Sequence, residues 1–184
     1  LGKRKAAAGR KQKPGVASKH APGGLIQPLV SAPIFGFSAP PMPSETSLQR
    51  FIDAQENSYS TALAEIRRGR KQSHWMWYIF PQIKGLGFSS TAQYYSIIDG
   101  REAAAYLQHP VLGSRLVSIS EELLKLPGNN ATHILGSPDD VKLKSSMTLF
   151  AALPNTNPVF QAVLDKFYGG QADERTLLLL NQHA

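Results

Sequence analysis

The chain has 184 residues, 42% of them hydrophobic, and a formal charge of +7 at pH 7, which allows one good core plus an appendage. It has no cysteine, which excludes a disulfide partner, a thiolate nucleophile and cysteine-bound zinc. The five histidines form no His-x-x-x-His pair and have no carboxylate cluster beside them, so neither a metal nor another cofactor is expected. No run approaches the roughly 18 apolar residues that a membrane span needs.

The charge is uneven. Residues 1–46 hold Lys3, Arg4, Lys5, Arg10, Lys11, Lys13 and Lys19 against the single acid Glu45, so almost all of the net charge belongs to this stretch. Seven of the 13 prolines fall there with six glycines, which prevents any regular element from running far. The stretch reads as an extended arm in two sections. Residues 1–20, basic and free of acids, suit the phosphates of RNA, whose neutralisation releases counterions. Residues 25–43, apolar and punctuated by proline, suit a groove on a neighbouring protein. The chain opens on Leu1, which fits removal of a targeting segment, and residues 1–20 also resemble the remainder of a transit peptide. The expected location is the mitochondrial matrix, with cytoplasm and plastid as alternatives.

From Ser47 the pattern turns helical. Leu48, Phe51 and Ile52 share one face, as do Tyr59, Leu63 and Ile66, with Glu56-Asn57 between the two runs. Arg67-Arg68-Gly69-Arg70-Lys71 closes the second run. Its cations oppose a helix macrodipole at the C-terminal end, and they also suit phosphate.

The stretch His74 to Gly87 concentrates both tryptophans with Tyr78 and Phe80, and each such ring buries roughly 150–250 Å². It predicts a short helix buried on most sides, with Trp75, Trp77 and Phe80 in the core, ended by Pro81. Its polar members His74 and Gln82 are candidates for a pocket.

Ser89-Ser90 predicts a helix start running through Tyr94, Tyr95 and Ile98. Asp99 with Glu102 forms a capping-box pattern before Ala103 to Gln108. His109-Pro110 opens a further helix with an apolar stripe from Leu112 to Leu126. Ala131 to Leu135 is a short piece. Ser137-Pro138-Asp139-Asp140 predicts a cap, a first-turn proline and first-turn acids, ahead of a face made by Leu143, Met147 and Phe150. Asn157-Pro158 repeats the device before Val159 to Phe167, and Asp173 caps a last helix over Leu177 to Leu180. No period-2 strand is apparent. The expected fold is all-α: a compact domain of short helices crossing at varied angles over residues 47–184, preceded by the arm of residues 1–46.

Three stretches carry a family likeness: Gly69 to Gly87, Tyr106 to Gly113 (Tyr-Leu-Gln-His-Pro-Val-Leu-Gly), and Asp139 to Phe150 (Asp-Asp-Val-Lys-Leu-Lys-Ser-Ser-Met-Thr-Leu-Phe). In order and together they resemble family 1810 of domains of unknown function, over roughly Leu48 to Leu180. The resemblance implies a mainly helical single domain, and it implies no activity. Some members carry a calpastatin label that no residue pattern here supports. The arm lies outside the family's usual pattern.

Two functions compete on this sequence. Asp139, Lys142 and Ser146 share a helical face and, with His74, Trp75, Trp77, Gln82, His109 and Asp140, can line a pocket for a polar or nucleotide-like ligand. Each has a structural reading too: Asp139 as a first-turn acid, Lys142 as its ion-pair partner, His109 as a cap. No order of nucleophile, base and acid is recognisable, so no catalytic residue or reaction is assigned. The reading the arm favours is an accessory subunit of a ribonucleoprotein assembly, an organellar ribosome first and a respiratory or photosynthetic complex second. Its RNA-contacting residues are the seven arm cations with Arg67, Arg68, Arg70 and Lys71.

Overall fold

The computed structural model describes residues 45–182, and among these it is all-helical. Ten helices follow in order: α1 (Glu45–Glu56), α2 (Tyr59–Arg67), α3 (Met76–Ile79), α4 (Ser90–Tyr94), α5 (Gly100–Gln108), α6 (Leu112–Lys125), α7 (Ala131–Leu135), α8 (Asp139–Ala151), α9 (Val159–Tyr168) and α10 (Glu174–Gln182). Residues 1–44, which hold nearly all of the expected arm, lie outside the described residues.

Most starts follow the expected chemistry. Asp99 accepts the backbone N–H of Glu102 at 2.8 Å, and Asn157 accepts that of Val159 at 2.9 Å. Asp173 accepts that of Thr176 at 3.0 Å, but α10 starts at Glu174 and is longer than the leucine run alone indicated. His109 does cap, through its ring: Nδ1 faces the N–H groups of Val111 and Leu112 at 3.2 and 3.3 Å. Gly169 ends α9 in the left-handed region, at φ 61°, where a residue without Cβ is not strained.

Two local expectations are corrected. Ser137 does not cap α8; the first turn is closed by backbone bonds from Asp140 to Gly136 and from Lys142 to Pro138. The helix begun at Ser90 stops at Tyr94 and does not reach Ile98. There Ile97 pairs with Ile83 in an isolated parallel bridge, its N–H on Gln82 O at 2.9 Å while Lys84 N–H reaches Ile97 O at 2.8 Å. Both isoleucines are fully buried, so tertiary packing outweighs the local helical pattern.

Helix α8 is central, packing against α5, α7, α9 and α10, while α6 packs against α2, α5 and α9. Phe150 of α8 lies between Tyr106 and Phe160, with ring centroids 5.5 and 5.6 Å away. Gly113 lets α6 approach α5 closely, because a Cβ there would stand 1.9 Å from the carbonyl oxygen of Leu107. The tight framework brings the aromatic segment beside the N-terminal turn of α8, where the candidate site forms.

Candidate functional site

The loop between α2 and α3 is fixed by one acid. Glu65 is 2% exposed, and its carboxylate accepts the N–H groups of Gln72 (2.8 Å) and Ser73 (3.0 Å), the Ser73 hydroxyl, and the indole Nε1–H of Trp75 (2.8 Å). Burial alone raises its pKa, but these four donors outweigh burial and hold it at about 2. The same loop is tied to α7 by Lys71 N–H on Ile134 O at 2.7 Å. With its backbone held, Lys71 carries its ammonium over the Trp75 ring, 5.1 Å from the centroid, and on to α8.

There it meets Asp139. Lys71 Nζ lies 2.8 Å from one carboxylate oxygen and Lys142 Nζ 2.6 Å from the other. The side chains are only 8%, 16% and 20% exposed for Lys71, Asp139 and Lys142, so their charges interact with less screening than surface pairs. Burial pushes the Asp139 carboxyl up, and the hydrogen bonds and charges of Lys142 and Lys71 bring it below the ordinary carboxylate range. Lys142 also stands 4.6 Å from the centroid of the Trp77 ring, a cation–π contact.

Beside this triad opens a cleft of about 330 Å³, lined by Trp77, Gln82, Phe88, Pro138, Val141 and Lys142 among others. Trp77 is therefore half-buried and lines an opening, whereas Trp75 and Phe80 are core residues. The burial expected for Trp77 is partial: the ring is less enclosed than those of Trp75 and Phe80 and forms part of the cleft wall. Helix α3 is a single turn that buries Met76 and Ile79 and leaves Trp77 at the cleft. The side-chain amide of Gln82, a residue of the cleft lining, makes no hydrogen bond with another described side chain or backbone group.

Of the residues the sequence grouped as a pocket, the fold thus brings together Trp77, Gln82, Asp139 and Lys142, with Trp75 beneath Lys71. The others stand apart from the cleft lining. His74 is exposed and holds the Tyr78 hydroxyl with its carbonyl oxygen. His109 caps α6. Asp140 accepts the Thr132 hydroxyl at 2.5 Å. Ser146 is fully buried, and its hydroxyl has no hydrogen-bond partner among the described residues.

Of the cations assigned to RNA, Lys3, Arg4, Lys5, Arg10, Lys11, Lys13 and Lys19 lie outside the described residues. Arg67, Arg68 and Arg70 are exposed, and Arg67 pairs with Glu122 at 3.0 Å. Lys71 belongs to the Asp139 triad.

Two features escaped sequence reasoning. Glu65 looks like any acid on an amphipathic helix, because its donors come from a loop whose path is a tertiary matter. A second cleft, about 680 Å³ between α5, α6 and the α8–α9 turn, is lined by Leu107, Gln108, Val117, Glu121, Leu153 and Asn155 among others. Its lining holds one charged side chain, Glu121, and no pair of groups that orient each other. The smaller cleft has the more specific chemistry.

Comparison with curated proteins finds no match. Among solved structures the chain is similar to the conserved hypothetical protein Rv1873 from Mycobacterium tuberculosis, at 47% identity and a TM-score of 0.72, covering 73% of this chain and 96% of that one. The family model described as protein of unknown function, DUF1810, matches residues 45–180, which takes in the whole of the triad, the Glu65 latch and the cleft. The chain belongs to the DUF1810 family.

Proposed function

We propose that the helical domain binds a small anionic ligand in the cleft between Trp77 and Lys142. One observation carries this reading: two ammonium groups share one carboxylate at the edge of a cleft whose walls are otherwise mostly apolar. Lys71, Asp139 and Lys142 together keep a surplus of one positive charge. In a partly enclosed site that surplus is compensated best by an anion from outside. Asp139 holds the Lys142 ammonium in place before any ligand arrives, which lowers the ordering cost of binding. The cleft volume lies at the small end of the roughly 300–1,000 Å³ typical of ligand pockets. The test is calorimetric titration of the full chain with phosphate, pyrophosphate and citrate at low salt. Binding of at least one of them is expected, weakened at least ~10-fold by Lys142→Met, the effect of losing about 1.4 kcal/mol. Absence of binding by all three, or equal binding by the variant, overturns the reading.

A second reading is an accessory subunit of a ribonucleoprotein, in an organellar ribosome. In the described part it is favoured by Arg68 and Arg70, which are exposed at the end of α2 with no acidic partner among the described residues. They add to the seven cations of residues 1–20. Its test is the salt dependence of RNA binding by the full chain. With seven phosphates neutralised on single-stranded RNA, a fourfold rise in salt lowers affinity by up to ~10³. Salt-independent binding, or none, removes it.

A further inference from the structure

We infer that the ligand of this cleft carries a flat, polar-edged aromatic ring beside its anionic group, the chemistry of a mononucleotide, and that Phe88 is the platform on which the ring stacks. The inference rests on the anion-binding reading of the same cleft and names the ligand's other half.

Phe88 is 78% exposed and Val141 56% exposed, and both line the cleft that Lys142 borders. Phenylalanine is among the residues most often buried, and two large apolar side chains facing one small opening mark a contact surface. The exposure is not that of a loose loop. The Phe88 carbonyl accepts from the side-chain amide of Gln93 at 3.0 Å, and the next residue, Ser89, accepts the N–H of Ala92 at 3.1 Å. The backbone that presents the ring is therefore held on its C-terminal side by the first turn of α4.

Neither Phe88 nor Trp77 stacks on another ring among the described residues, although most of the other aromatic side chains there do. The cleft thus offers the Phe88 ring, which has neither a ring nor a cation against it among the described residues, the Trp77 ring with Lys142 over it, and one amide. An aliphatic anion uses the cation alone. A planar ring uses the aromatic surfaces, and the Gln82 amide, one donor and one acceptor, matches the paired acceptor and donor on the edge of a nucleobase. The combination of stacking, amide and cation favours a nucleobase with a phosphate over a simple aromatic acid.

The experiment titrates the full chain with AMP, ribose 5-phosphate and adenosine, by calorimetry and by following the two indole N–H resonances. AMP is expected to bind at least ~10-fold more tightly than ribose 5-phosphate, in line with the contribution of one stacked base. The Trp77 indole resonance should move on AMP addition while that of Trp75, sealed against Glu65, stays. Phe88→Ala should reduce AMP affinity to that of ribose 5-phosphate and leave the latter unchanged. Phe88→Leu, which keeps apolar bulk and loses the ring, should behave like Phe88→Ala. Equal affinity for AMP and ribose 5-phosphate sinks the stacking inference and leaves the anion reading standing. Adenosine binding as tightly as AMP upholds stacking and sinks the anion reading. Binding by none of the three overturns both.

Discussion

Trp75 and Trp77 stand two residues apart and have opposite surroundings. Trp75 is 1% exposed, its N–H held by Glu65 and its ring packed 6.2 Å from that of Phe80. Trp77 is half-buried, faces a cleft and packs on no other ring among the described residues; a lysine lies over each, Lys71 over Trp75 and Lys142 over Trp77. Each side has a carboxylate at its centre, and the donors around the carboxylate distinguish them. Glu65 is saturated by four neutral donors, so the ion and its partners form a closed unit that needs nothing from outside. Asp139 has two cations, which leaves one positive charge over. The lesson is that a buried acid with neutral donors marks structure, while an ion cluster with unbalanced charge beside an opening marks a place for a ligand.

Removing the closed side should cost most. Trp75→Ala is expected to destabilise by about 3–5 kcal/mol, as for other aromatic truncations in cores, measured by urea unfolding. A loss below about 2 kcal/mol would mean the Trp75 side is no more closed than the Trp77 side. Trp77→Ala, by comparison, should cost about 1–2 kcal/mol, because only part of the ring leaves water.

Glu65→Gln comes next. The amide keeps one acceptor but turns an NH₂ toward donors, so the expected loss is about 3 kcal/mol at pH 7, the value of a pKa held near 2 against an ordinary 4.5. The sign follows from the direction of the shift. A depressed carboxyl pKa stabilises the fold above about pH 4.5, and that contribution disappears as pH falls toward 2. The stability gap between the native chain and Glu65→Gln should therefore narrow steadily from pH 5 to pH 2. A constant gap would show that the four donors do not depend on the charge.

Much of the fold was legible in the sequence and much of the site was not, for separable physical reasons. Helix starts at Asp99, Asn157 and Asp173 could be read because a cap acts over two or three residues. The Asp139–Lys142 pair could be read for the same reason, being one turn apart on α8. Lys71 could not, since its partner comes from a helix far along the chain, and a run of cations after a helix looks alike whether it meets phosphate or one buried acid. Ser146 shows the limit of the helical-face argument. It shares the face of Asp139 and Lys142, yet it lies further along α8, where that face has passed into the core. Phe88 carried no signal, because an isolated phenylalanine in sequence is expected inside.

Two lysines extend the comparison between closed and open sites. Lys166 lies 3.3, 2.8 and 2.5 Å from the carbonyl oxygens of Leu123, Leu124 and Leu126 at the end of α6, where its charge opposes the helix dipole. Lys166→Met should destabilise by about 1–2 kcal/mol and leave anion binding unchanged. Lys142→Met should do the reverse, losing the anion with a smaller change in stability. If both variants lose stability alone, the triad belongs with the closed sites and the cleft has no ligand role.

The smallest effect is expected at the most exposed ring. Phe88→Ser removes a side chain that is 78% exposed and stacks on no other ring among the described residues, so its stability should stay within about 0.5 kcal/mol of the native chain, as for other surface substitutions. The loop should also survive, because the bonds that hold it come from the Phe88 carbonyl and the Ser89 hydroxyl, not from the ring. Urea unfolding at neutral pH checks the first point and amide hydrogen exchange at Ala92 and Gln93 the second. An unchanged fold would mean that the ring contributes almost nothing to the free chain, as expected of a side chain whose contacts form with a ligand. A loss above about 1 kcal/mol would show that Phe88 packs against the domain, and the open side of the tryptophan pair would then be a second piece of the core.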